Sequence, residues 1–175
     1  MKLILKVLFA AALVGPLFSC TALAQQFPRL QEENLNGQQV VLPDAASGKV
    51  AVLVMGFSKD SKIATEAWAK RIDSDFGKTP GVALYQMPIL EAVPKMFRGM
   101  VISGIKKGVP ESQRANFVPV LHNEDELKKL VGFSAEDDAY IVVLDRSGKV
   151  SYQTHGTSAD SGYAELKAKL QALVK

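Results

Sequence analysis

Val50-Ala51-Val52-Leu53-Val54-Met55-Gly56-Phe57, followed by Ser58-Lys59-Asp60-Ser61, is the stretch on which the reading of this chain turns. An uncharged run rich in valine, entered from the Ser47-Gly48 turn, describes a strand covered on both faces of a sheet. The polar quartet behind it supplies side chains that cap helices. Ile63, Ala64, Ala67, Trp68, Ile72 and Phe76 then recur three and four residues apart, one apolar face of a helix of about four turns. Gly77 ends that helix, and Val82-Ala83-Leu84-Tyr85-Gln86-Met87 reads as a second inner strand. Strand, helix, strand in this order implies a right-handed crossover and parallel pairing.

On the N-terminal side, Leu35-Asn36-Gly37-Gln38 is a two-residue hairpin signal with Gln39-Val40-Val41-Leu42 as the returning strand. On the C-terminal side, Pro94 opens a helix that is expected to carry Met96, Phe97, Met100 and Val101 inward. Phe117-Val118-Pro119-Val120 suits a short edge strand, because proline cannot donate to a central ladder. Asn123 with Glu126 resembles a capping box opening a short helix that stops at Gly132. Tyr140 to Leu144 is a strand, Asp145-Arg146-Ser147-Gly148 a hairpin turn, and Val150 to Gln153 the strand that returns. Tyr163, Leu166, Leu170, Leu173 and Val174 follow at helical spacing. The order is hairpin, βαβ, helical insertion, ββα.

The first 24 residues read as a leader. Lys2 and Lys6 precede a short apolar stretch broken by Gly15-Pro16, and Ala22-Leu23-Ala24 is a small-x-small cleavage site before Gln25. This is a bacterial secretory signal, too short and interrupted for a comfortable membrane span. The expected product, residues 25–175, is one domain in the periplasm or outside the cell. Leu17-Phe18-Ser19-Cys20 offers the other reading, a lipoprotein anchored through Cys20, although Phe18 is bulky for a lipobox.

Twenty-one basic and 18 acidic residues give the whole chain +3, and removing Lys2 and Lys6 leaves 19 against 18. A near-neutral domain gives no electrostatic reason to expect nucleic acid or an anionic membrane as partner. A domain of this size buries roughly 70% of its unfolded surface. The one cysteine, Cys20, lies in the leader, so stability is expected to come from the core without disulfides.

Phe27-Pro28, Asn36-Gly37-Gln38-Gln39-Val40-Val41-Leu42 and the Gly48-Lys49 turn resemble the opening hairpin of the redoxin and TlpA-like families. Asp145-Arg146-Ser147-Gly148-Lys149-Val150 resembles the late hairpin of the same thioredoxin-like fold, and the resemblance spans residues 27–174. It implies an α/β protein: a thioredoxin-like three-layer α/β/α sandwich with an N-terminal β-hairpin and a helical insertion before the last ββα unit. Redox-active members place a C-x-x-C motif or a peroxidatic cysteine where the central strand meets the first helix. Here that place holds Ser58-Lys59-Asp60-Ser61, or Asp60-Ser61-Lys62-Ile63 in the other register. Their chemistry needs a thiolate, and a serine hydroxyl has no appreciable anion population near neutral pH. The cis-proline of those families faces the cysteines just before the third strand, a position held here by Asp138-Ala139-Tyr140. Thiol chemistry is therefore not expected.

A more specific similarity runs through Phe57-Ser58-Lys59, Trp68, Tyr85-Gln86-Met87, the segment Pro94 to Met100 and Tyr140 to Asp145. These residues resemble a mitochondrial family of redoxin-like assembly factors, chaperone-like toward the membrane subunit of ATP synthase. The resemblance implies a thioredoxin-like fold used for protein contact.

The candidate contact residues are Ser58, Lys59, Asp60, Ser61, Arg98, Asp138 and Ala139. The quartet 58–61 either caps the helix or presents its free N–H groups to an anion; capping is the ordinary use. Trp68 sits on the stripe of Ala64 and Ile72 and is expected in the core. Met87, Met96 and Met100 either fill core gaps or form an adaptable partner surface, and core packing is the expectation. Arg98 either clamps an anion bidentately or forms a surface salt bridge, the latter expected. His122 and His155 lie in no metal-ligand pattern, and no G-x-S-x-G elbow is present. The expected function is an exported, non-catalytic protein-binding, assembly or chaperone-like factor without cofactor or metal, whose partner is another envelope protein. The helix N-terminus after residue 58 and the insertion between residues 88 and 138 would make that contact. The alternative is an enzyme or small-ligand binder with a pocket around Ser58, Asp60 and Arg98.

Overall fold

The computed structural model describes residues 25–157 and 162–175. The leader, its cleavage site and Cys20 lie outside the described residues. Among them, six strands and four α-helices run in the order β1 (Leu30–Glu33), β2 (Gln39–Leu42), β3 (Val50–Gly56), α1 (Lys62–Phe76), β4 (Val82–Pro88), α2 (Lys95–Gly108), α3 (Glu124–Val131), β5 (Ala139–Leu144), β6 (Val150–Gly156) and α4 (Tyr163–Leu173).

The four-stranded sheet has the order β4-β3-β5-β6. The β3–β4 pair is parallel, with Val50 opposite Val82 and Gly56 opposite Pro88, whereas β5 runs antiparallel to both β3 and β6. Every residue of β3 and β5 is buried, as an uncharged run between two layers must be. Strand alternation sends Ala51, Leu53 and Met55 to one face and Val50, Val52 and Val54 to the other. On the second face, Ala64, Trp68, Ile72 and Phe76 of α1 and Tyr163, Leu166 and Leu170 of α4 complete one core. On the first, Leu127 and Leu130 of α3 join Leu30, Val40 and Leu42 of the β1–β2 hairpin. Trp68 is fully buried as its spacing indicated, and its indole N–H donates to the Gly156 carbonyl at 3.1 Å.

Several local expectations are corrected. The first hairpin has a three-residue loop. Asn34 N–H donates to the Gln38 carbonyl and Gly37 N–H to the Asn34 carbonyl, and Gly37 takes φ +77°. That is a type I turn followed by a left-handed residue, and the Asn34 side chain reinforces it by accepting from the N–H groups of Asn36 and Gln38. Segment 117–120, by contrast, lies at the sheet edge as expected, parallel to β4 through the Gln86–Phe117 and Ile89–Val120 bridges. Val118 and Val120 donate to Gln86 and Pro88, so Pro119, which has no N–H, falls where none is needed.

The capping box of α3 does not form. Asn123 is left-handed at φ 67° and its amide donates to Glu126. The first helical N–H, of Glu124, donates to the Glu91 carboxylate at 2.6 Å, and the Glu124 carboxylate accepts from Ala92 N–H at 3.1 Å. A cap supplied from 33 residues away cannot be seen in a local motif.

The largest correction concerns α2. No residue of it is buried. Met96, Phe97 and Met100 point to solvent, exposed by 80%, 48% and 69%, while Val101, Ile102 and Ile105 are half-buried on the inner side. Arg98 fixes this orientation: its Nε donates to the Val93 carbonyl at 2.9 Å and its Nη2 to the Glu91 carbonyl at 2.7 Å.

Candidate functional site

The place where β3 ends and α1 begins is built on aromatic packing. Phe57 meets Phe133 edge-on at 5.2 Å and Tyr140 at 5.4 Å, and Tyr140 stacks on His155 at 5.3 Å. Tyr140 is fully buried, and its hydroxyl accepts from the N–H groups of Ser134 and Ala135 and donates to the Ala135 carbonyl. This anchors the loop before β5 against the strand end that carries Ser58.

Ser58 ties the two together. Its Oγ donates to the Glu136 carbonyl at 2.7 Å and accepts from the N–H groups of Asp60, at 2.9 Å, and Ser61, at 3.3 Å. Ser61, the residue preceding α1, is buried and makes no side-chain cap; its Oγ donates to the Ser58 carbonyl at 2.9 Å. The Ser58 hydroxyl thus closes the turn ahead of α1, bonding the N–H groups of residues 60 and 61, and no side chain of the quartet caps the helix that starts at Lys62. Lys59 and Asp60 are exposed on the outside of the turn.

Asp138 and Ala139 lie across from this turn, at the start of β5. Asp138 is buried, and its Oδ2 lies 2.6 Å from His155 Nδ1. Ala139 is fully buried opposite Gly156. The structure therefore brings Ser58 and Ser61 to the loop that precedes Asp138, through Glu136. Arg98 does not join them: its guanidinium donates to the carbonyls of residues 91 and 93, neither an anion clamp nor a salt bridge.

Among the described residues, every hydrogen bond of Ser58 Oγ is to backbone. An Asp–His pair stands nearby in Asp138 and His155, but the serine proton goes to a carbonyl and not to the imidazole, so no proton relay reaches the hydroxyl. A cleft of about 440 Å³ opens elsewhere, between α1 and β4, lined by Ala69, Ile72, Phe76, Val82 and Leu84 and by none of Ser58, Asp60 and Arg98. His122 pairs with the buried Glu32, whose Oε1 also accepts from the N–H groups of Leu121 and His122. Among the described residues, no group of three His, Cys, Asp or Glu side chains is arranged to hold a metal.

The Asp138–His155 contact and the Tyr140 anchor were not read from the sequence. Their proximity depends on the β5–β6 register, which shifts at a bulge between Val143 and Leu144. A bulge has no reliable local signature here, so counting back from the turn at 145–148 does not yield the pair.

A four-stranded mixed sheet with α1 and α4 on one face defines a thioredoxin-like protein whose described residues contain no cysteine, at the β3–α1 junction or elsewhere. Residues 20–173 match the family described as ATP10 protein, and the chain belongs to that family. No curated protein matches it in sequence. Solved structures share the fold at low identity. A putative thiol:disulfide interchange protein DsbE from Chlorobium tepidum is 18% identical with a TM-score of 0.60, covering 87% of this chain and 97% of its own. A SCO1/SenC family lipoprotein from Bacillus anthracis is 14% identical, with a TM-score of 0.56 over 87% and 97%. BsSco, a member of the Sco family of cytochrome c oxidase assembly proteins, is 11% identical, with a TM-score of 0.56 over 87% and 95%.

Proposed function

We propose that this protein is an exported assembly or chaperone-like factor that binds another envelope protein and performs no thiol chemistry. The observation that carries the reading is the state of Ser58. Ser58 opens one of the two stretches, 58–61 or 60–63, that stand where redox-active relatives carry cysteine, and its hydroxyl is committed to backbone groups of Glu136, Asp60 and Ser61. A residue so used organises a surface and does not react. Membership of the family described as ATP10 protein supports the same reading, as does the resemblance of the sequence to redoxin-like assembly factors that are chaperone-like toward a membrane subunit. The partner contact is the edge formed by the exposed Lys59 and Asp60 and the loop 134–138 opposite. Export follows from the leader, with cleavage after Ala24 and release to the periplasm or medium; acylation at Cys20 would instead hold the protein at the membrane.

The alternative, an enzyme or ligand pocket around Ser58, Asp60 and Arg98, would require Ser58 and Arg98 to leave these backbone partners. The deciding experiment couples two measurements on the native envelope. A photo-crosslinker placed at Lys59 should capture one reproducible envelope protein, whose assembly into its complex falls when the gene is deleted. Insulin-reduction and peroxidase assays on the processed chain should show no turnover. Thiol-dependent turnover, or normal assembly of the captured protein in the deletion strain, would overturn the reading.

A further inference from the structure

Among the described residues, no element covers the outer face of α2. Met96 and Met100 lie one turn apart on it, Phe97 flanks them, and Gly99, Ser103 and Gly104 leave the ridge otherwise low. A helix that shows water its methionines and a phenylalanine, while turning Val101, Ile102 and Ile105 toward the body, has apolar groups on both sides. The charge around this ridge is of one sign. Lys95, Arg98, Lys106 and Lys107 lie within α2, which contains no acidic residue. From residue 92 to 116 there are five basic residues and one acidic, Glu111. That segment carries +4, whereas residues 25–175 as a whole carry 19 basic against 18 acidic, so everything outside it sums to −3. Averaging over the chain conceals a strongly basic face. Among the described residues, Lys95, Lys106 and Lys107 form no ion pair.

We propose that α2 docks on an anionic phospholipid surface, lying in the plane of the headgroups with Met96, Phe97 and Met100 inserted and the three lysines at the phosphates. Exposed apolar side chains rimmed by lysine are the composition of an interfacial helix. The complementary charge must be negative, because no acid on α2 could meet a basic partner. The three side chains are exposed on the surface of α2, and a deformable headgroup layer accepts such side chains without a matching cavity. No helix among the described residues is long and apolar enough to cross a membrane, so the contact is a surface one. Ile63, a further exposed apolar side chain at 80%, lies in the first turn of α1, which like α2 follows the C-terminal end of a strand in the parallel β3–β4 pair.

The test uses the chain from Gln25, which retains all described elements. Flotation with phosphatidylcholine vesicles should leave the protein in solution, whereas phosphatidylcholine with phosphatidylglycerol should carry it up, less so as salt rises. Each lysine at such a surface strengthens binding about fivefold, so combining Lys95→Gln, Lys106→Gln and Lys107→Gln should weaken it on the order of a hundredfold. Met96→Ser with Met100→Ser should weaken it as well, and circular dichroism should not change because these side chains are exposed. Residues 25–175 contain no cysteine, so a nitroxide attached through Met100→Cys can report depth: it should enter the oxygen-rich interface, while one attached through Asp125→Cys on α3 stays in water. Absence of binding to the anionic vesicles, or binding unaffected by the lysine variant, overturns the proposal. So does an α2 variant that binds vesicles normally yet loses a protein partner, which would make the ridge a protein surface. No client is present in the assay, so its failure is separate from any failure of the assembly reading.

Discussion

Replacing Ser58 with alanine separates a structural hydroxyl from a functional one. The change removes a 2.7 Å bond to the Glu136 carbonyl and leaves the N–H groups of Asp60 and Ser61 without their side-chain acceptor. Removing the acceptor that closes the turn at residues 60 and 61 costs about 1 kcal/mol, and the bond across to the loop before β5 contributes about 1 kcal/mol more. The expected loss is therefore about 2 kcal/mol. For a chain of this size that lowers Tm by roughly 4–8 °C. The chain's one tryptophan, Trp68, is fully buried and reports the transition by fluorescence during urea or thermal unfolding. Ser58→Thr, which keeps the oxygen, should recover most of the loss. A Ser58→Ala protein within about 0.5 kcal/mol of wild type, the range of an uninvolved surface change, would refute the assignment of this hydroxyl to the fold. If such a variant kept its stability and lost a measurable turnover, the pocket reading would take its place.

Gly56→Ala should destabilise by about 1–3 kcal/mol, because a Cβ there would collide with the Ser61 hydroxyl and approach Thr65 Cγ2 to 2.9 Å, forcing both side chains to shift; denaturant midpoints would show it, and a neutral outcome would mean that the β3–α1 junction is looser than described. Tyr140→Phe leaves the N–H groups of Ser134 and Ala135 without their acceptor, for an expected cost of about 2 kcal/mol. Faster amide exchange over residues 133–138 should accompany it. Acid should unfold the protein partly through Asp75, whose carboxyl is held below the usual carboxylate range by the Lys167 ammonium at 2.8 Å and then by the Tyr163 hydroxyl at 2.8 Å. A lowered folded-state value means that its contribution is complete above the unfolded carboxylate range and is lost as pH falls through the folded value. The stability of Asp75→Asn should accordingly vary less with pH below about 4. At the alkaline end, burial first, and then the bond to Asp75, raises the Tyr163 phenol. Its contribution is present below the unfolded phenol value and declines as pH rises past about 10; Tyr163→Phe should flatten that decline in a pH series of unfolding midpoints.

The parts of the fold that were legible from residues are those in which one segment contains its own reason. Val50 to Gly56 is an uncharged run with no second use, and Ala64, Trp68, Ile72 and Phe76 mark a stripe that must be covered by something. Both ends of α3 show the limit. Gly132 stops the helix with a left-handed φ of 62°, as a glycine at that place predicts. Its N-terminus is capped by Glu91, which no window around Asn123 contains. At the candidate site, the lack of a thiol around the Ser58 hydroxyl was visible in the sequence alone, because it is a matter of which atoms are present. Which groups use that hydroxyl was not, because Glu136 reaches it from 78 residues further along the chain.

Chain order and composition by themselves determined the βαβ and ββα units, the strand–helix junction at 57–62, and the lack of sulfur there. Covalent identity and short-range periodicity suffice for these. Tertiary structure decided the fate of α2. Periodicity states which side chains share a face but not whether another element covers that face. Only the packing of Arg98 against residues 91–93, with Val101 and Ile105 turned inward, leaves Met96, Phe97 and Met100 in water.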